Sequence, residues 1–144
     1  MGKRLLGFIL VLSVLLLSSC GQKENKYFKL KGEFQTSKTL KIVTKESYEE
    51  DCTVIDYYIS NVGFKEHSIA GDDNCFELQK LVDGEWKRVG TKNDHEWTLD
   101  ALILEPHQTE ERQIKLEDYF YLPLESGEYR IAVGEYLSNT FKIS

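Results

Sequence analysis

From Tyr27 to the C-terminus, apolar residues recur at every second position in short runs separated by turn residues, and this alternation limits the fold more than any other feature. A period of two covers one face of a pleated strand, whereas a helix needs apolar residues three and four apart. Residues 53–60 are the clearest case, with Ile55, Tyr57 and Ile59 on one face and a stop at Asn61-Val62-Gly63. Residues 40–44 form a β-rich run ahead of Glu49-Glu50-Asp51, which reads as a solvated turn. Runs at 75–82 and 86–89 flank Asp83-Gly84, the dipeptide suited to a tight hairpin because both turn positions want positive φ. Residues 112–116 set Ile114 and Leu116 two apart, Tyr129, Ile131 and Val133 repeat that period after Ser126-Gly127, and Phe141 and Ile143 close the chain. Only residues 97–104 carry a helical spacing, through Leu99, Leu102 and Ile103. About seven strands at these intervals predict an all-β fold, an antiparallel β-sandwich, with a small closed barrel as the alternative.

The first residues stand apart from this pattern. Lys3 and Arg4 precede an apolar run from Leu5 to Leu17 that only Gly7 and Ser13 interrupt. A membrane-spanning helix needs about 20 apolar residues. The run is shorter, and has the length of a signal-peptide core. It ends in Leu17-Ser18-Ser19-Cys20, which resembles a bacterial lipobox: an aliphatic residue, two small ones, then cysteine. Small side chains let a membrane peptidase close on the backbone, and the Cys20 thiol is then the expected point of diacylglycerol attachment. Myristoylation is excluded because Leu6 stands where that motif needs a hydroxyl. Several acyl chains on one residue give stable attachment, at about 0.8 kcal/mol per buried CH₂. The expected division is a lipoprotein signal peptide at 1–19, a lipidated tether at 20–26 and a sandwich domain at 27–144. The expected location is the extracytoplasmic face of the cell membrane, reached through the N-terminal lipid.

Charge narrows the partners. The whole chain carries 18 basic and 24 acidic side chains, and the segment before Cys20 removes Lys3 and Arg4 but no acid, leaving −8. Nucleic-acid binding depends on neutralising phosphates, so such a balance argues against it. It argues equally against a basic patch docked on anionic lipid heads.

Motifs for chemistry are scarce. Cys52 and Cys75 form an even pair in an oxidising compartment and are candidates for a disulfide, worth about 3 kcal/mol in the chain-entropy model. Two separate buried thiols are the alternative, and the lack of a C-x-x-C motif argues against redox work. His67, His95 and His107 are scattered, and Leu99 occupies the second histidine position of an H-E-x-x-H reading that begins at His95. Gly71-Asp72-Asp73-Asn74 is oxygen-rich but lacks the spaced acids of a calcium loop. No nucleophile elbow, S-x-x-K or phosphate loop occurs, so no catalytic, cofactor or metal site is expected and the protein is read as not an enzyme. Of Tyr119-Phe120-Tyr121, Phe120 is expected inside with the tyrosines flanking it, the run's alternative being a contact surface.

Four signatures follow one another along the chain: Asn61-Val62-Gly63 ending a strand, residues 76–86 leading through Asp83-Gly84-Glu85-Trp86, then Leu104-Glu105-Pro106-His107, then Leu122-Pro123 through Gly127-Glu128-Tyr129-Arg130-Ile131. Their order, over about residues 40–144, resembles the bacterial immunoglobulin-like domain of small surface lipoproteins. The family usually has glycine where this chain has His107, and here three residues separate Pro123 from Gly127. The resemblance implies an immunoglobulin-like sandwich. Tyr129 matches a tyrosine corner, its hydroxyl bonding a backbone group a few residues upstream, and Trp86 is expected as the large core anchor.

The expected function is a non-enzymatic binding or structural module at the cell envelope, with a protein partner of unstated identity. An exposed patch at one loop end, drawn from Phe64, Trp97 or residues 119–121, would mark the contact surface. One alternative is a protease inhibitor that uses a loop at 65–74; another is an accessory sugar- or metal-binding lipoprotein with a concave site lined by Trp97 or Tyr119.

Overall fold

The structure, a computed structural model, describes residues 21, 23–70, 76–92 and 101–144. Twelve strands occur among them: β1 (Tyr27–Lys29), β2 (Leu40–Thr44), β3 (Ser47–Tyr48), β4 (Val54–Asn61), β5 (His67–Ala70), β6 (Phe76–Val82), β7 (Glu85–Val89), β8 (Ala101–Leu104), β9 (Thr109–Lys115), β10 (Gly127–Val133), β11 (Tyr136–Leu137) and β12 (Phe141–Ile143). The seven strands expected from the alternation are β2, β4, β6, β7, β9, β10 and β12; the other five are short additions of two to four residues. A large sheet runs β1-β7-β6-β10-β12-β3 with β11 beside β10, a second runs β2-β4-β9, and β5 pairs with β8. Every pairing of named strands is antiparallel except β12 with β3. The fold is an immunoglobulin-like β-sandwich.

Alternation does the folding work. Ile55, Tyr57 and Ile59 of β4 are buried, and they share one apolar cluster with Leu78 of β6, Ile131 of β10 and Phe141 of β12 from the facing sheet. Each such side chain contributes about 1.5–3 kcal/mol by leaving water. Ile114 and Leu116 are likewise buried, the second at the start of a short 3-10 helix (Leu116–Asp118). Phe120 is 1% exposed between the half-buried Tyr119 and Tyr121. The β6–β7 turn takes φ 51° at Asp83 and 78° at Gly84, both left-handed as the Asp-Gly pair favours.

Tyr129 is fully buried, and its hydroxyl donates to the Glu125 carbonyl oxygen at 2.5 Å. Burial raises its ionisation well beyond the ordinary range. Beside it the Lys80 ammonium, nearly buried, bonds the Glu125 carboxylate at 2.7 Å and lies 5.1 Å from the Tyr27 ring centre. Hydrogen bonds from Lys80 and Tyr27 hold the Glu125 carboxyl below its usual range. The Tyr27 hydroxyl is pushed up to about 12, chiefly by burial and then by Glu125. The first strand is thus fastened to the same corner that turns the chain into β10.

Two expectations are corrected. Trp86 is not a core anchor: it is half-buried, lies outside the apolar cluster, and holds the Arg130 guanidinium 4.2 Å from its ring centre. The reason is strand parity, because Val89 points inward and Trp86, three positions earlier, must point outward. The helical spacing at 97–104 does not give a helix over its described part, since Ala101–Leu104 is strand β8, paired with β5 and burying Leu104. Residues 97–100 lie outside the described residues.

Candidate functional site

The loops at one end of the sandwich are organised by a single buried amide. Asn61, 1% exposed at the end of β4, donates from Nδ2 to the carbonyl oxygens of Lys65 (2.7 Å) and Leu104 (3.0 Å). Its Oδ1 accepts from the Gly63 N–H at 3.0 Å. One side chain therefore satisfies three backbone groups, closes the turn after β4 and ties it to the end of β8. Gly63 fits closely at this place: a Cβ there would stand 3.0 Å from the Thr39 Cβ, so a larger residue would press on Thr39. Thr39 and His67 brace the turn from the other side, with Oγ1 and Nε2 2.8 Å apart.

The turn so fixed carries Phe64 on its outside, 88% exposed. Val62 and Ile103 are each about half exposed on the segments that Asn61 joins, at 49% and 51%. A shallow hollow of about 420 Å³ lies beside Phe64, lined by Thr39, Gly63, Lys65, Glu66 and His67. Aromatic side chains held in the open on rigid loops suit contact surfaces, because little side-chain freedom remains to be lost on binding.

Across from Phe64 stands His107, with the two rings edge to face at 5.3 Å. His107 follows Pro106 in the turn between β8 and β9 and takes φ 63°, the left-handed conformation that glycine adopts without penalty. An L-residue there costs about 1–2 kcal/mol. The turn therefore keeps the shape that a glycine would give and spends that energy to display an imidazole against Phe64. Strain of this kind concentrates at functional sites. The sequence named Phe64 as one candidate for an exposed contact patch, and His107 as a scattered histidine and a departure in a turn, without joining the two. Their meeting depends on two turns far apart in the chain, which local spacing does not report.

Other expected sites fare variously. Cys52 is a half-buried thiol packed against the apolar cluster, its ionisation raised by burial; Cys75, its candidate partner, lies outside the described residues. Cys20 and the segment at 1–19 also lie outside them, as do Trp97, His95 and Gly71-Asp72-Asp73-Asn74. Of the loop at 65–74, Lys65 and Glu66 are exposed, while His67–Ala70 forms β5 and pairs residue by residue with β8. Tyr119 is not held out for a ligand: its ring packs edge-on to Phe76 at 5.0 Å. Among the described residues, no three His, Cys, Asp or Glu side chains come together in a way that could hold a metal.

A family model described as a bacterial Ig-like domain matches residues 36–140, well over half of the chain. No curated protein matches the chain.

Proposed function

The chain belongs to the bacterial Ig-like domain family, and from that membership together with the lipobox-like Leu17-Ser18-Ser19-Cys20 we propose that it is a lipid-anchored, non-enzymatic module on the extracytoplasmic face of the membrane that makes protein contacts. The observation that carries this reading is Phe64, 88% exposed on a turn that the buried Asn61 amide holds fixed. The segment at Asn25 is itself fastened to the domain: Asn25 and Tyr121 exchange hydrogen bonds of 2.7 and 2.8 Å, and Lys92 donates its N–H to the Tyr119 carbonyl. Phe64 and His107 stand where β9 begins, at the turn that leads into Thr109. A chain anchored at Cys20 is held through this fastened segment, and the Phe64–His107 pair is the contact surface of the domain.

The anchor is tested by labelling cells with radioactive palmitate and weighing the purified chain. The wild type is expected to take up label and to begin at Cys20, while Cys20→Ser takes up none and retains its leader. A wild-type chain without label, or equal label in both, would overturn the anchored reading.

A further inference from the structure

The acidic balance of the chain conceals a local reversal of sign. Where the N-terminal segment runs into β1, a groove of about 620 Å³ is lined by Lys26, Lys29, Lys31, Arg88 and Lys92, with Glu24 the one acid among its described lining residues. Five basic residues and one acid thus line it in a chain whose net charge is −6, with the Glu77 carboxylate of β6 also acting on Arg88. Two of the cations are pre-positioned. The Arg88 guanidinium lies 4.9 Å from the Phe28 ring centre, and the Lys92 ammonium lies 5.5 Å from that of Tyr121 while donating to the Glu117 carbonyl at 2.6 Å. Aromatic rings beside basic side chains are the combination that settles at a membrane–water boundary.

The groove is also tied to the proposed anchor point. One wall is the N-terminal segment itself, clamped by the Asn25–Tyr121 exchange and by the Gly90 N–H bonded to the Lys26 carbonyl at 2.7 Å. Six residues from Cys20 to Lys26 reach about 20 Å when extended, so the groove cannot move farther than that from the lipid. We propose that this groove seats the phosphate of an anionic phospholipid headgroup in the membrane that holds the anchor. The choice of a lipid over another phosphate rests on the anchored reading above. A second, weaker attachment at this point would orient the domain, where an acyl anchor alone leaves it free to swivel.

The test titrates the full chain, purified from membranes in dodecyl maltoside, with short-chain phosphatidylglycerol, with short-chain phosphatidylcholine and with inorganic phosphate. The backbone amide signals of Lys26, Phe28, Gly90 and Lys92 are followed by NMR. Phosphatidylglycerol is expected to move them saturably and phosphatidylcholine is not. The double variant Lys31→Gln, Arg88→Gln should bind about tenfold more weakly, with the signals of Ile59 and Ile131 unmoved. Lys31→Gln, at an exposed position outside the strands, supplies the same comparison at smaller amplitude should the double variant fail to fold. Failure of phosphatidylglycerol to move those signals, variants that bind like wild type, or inorganic phosphate binding as tightly would each overturn the proposal. Repeating the titration on Cys20→Ser reads the groove without acyl chains, so loss of the anchor and loss of the groove are told apart.

Discussion

At the scale of single residues, His107 shows how a departure from a family pattern carries information. The turn after Pro106 demands a left-handed residue whichever side chain fills it, and here the side chain is an imidazole with φ 63°. His107→Gly should therefore raise the unfolding free energy by about 1 kcal/mol, since glycine removes the steric cost of that φ. Urea unfolding of the two chains reads it directly. A less stable glycine variant would show that the ring pair with Phe64 outweighs the strain, and would sink the argument that stability was given up for display. Residue-level reading of the sequence worked where the cause is local. Asp83-Gly84 takes the positive φ values its chemistry favours, and Asn61 stops its strand because its amide can replace three missing backbone partners. It failed for Trp86, where size argued for the core and the parity of β7 placed the ring outside.

At the scale of elements, the period-two runs delivered all seven principal strands because burying alternate residues leaves a strand only one productive face. The short strands β1, β3, β5, β8 and β11 have too few residues for a period to appear, and their pairing is settled by neighbours distant in sequence. β1 is the informative one. It adds to the edge of β7 through Tyr27↔Val89, Phe28↔Arg88 and Lys29↔Lys87, and it joins the anchor-side segment to the domain. Gly90 permits that junction: a Cβ there would stand 2.6 Å from Cε2 of Phe28 and 3.2 Å from the Lys26 carbonyl oxygen. Gly90→Ala should push the Phe28 ring aside and loosen β1, at a cost of about 1 kcal/mol. Amide exchange at Phe28 and Lys29 is expected to quicken while that at Tyr57 and Ile59 in β4 holds. Unchanged exchange in β1 would mean that the edge strand does not depend on this close approach.

At the scale of the whole molecule, what the sequence concealed was arrangement. A net charge is an average, so an acidic total said nothing of five cations gathered along one groove, and neither the groove nor the Phe64–His107 end shows as a motif. Both arise only after the sandwich brings distant turns together. The molecule thus has a basic groove beside its fastened N-terminal segment and an aromatic pair at the turn that Asn61 closes. The second has a consequence that folding alone would not require. Phe64 is 88% exposed, so its ring contributes almost nothing by leaving water, and Phe64→Ser should alter the unfolding free energy by less than about 0.5 kcal/mol. Ile59, wholly buried in β4, offers the contrast: Ile59→Ala should cost about 2–5 kcal/mol through lost transfer energy and the cavity left behind. Urea denaturation of both variants, with equal slopes to establish that the unfolded states match, makes the comparison. A loss of 1 kcal/mol or more in Phe64→Ser would assign the ring to bracing the His107 turn. No loss would leave an apolar side chain fixed in water by a rigid turn with no part in stability, which is what a residue kept for contact with another molecule requires.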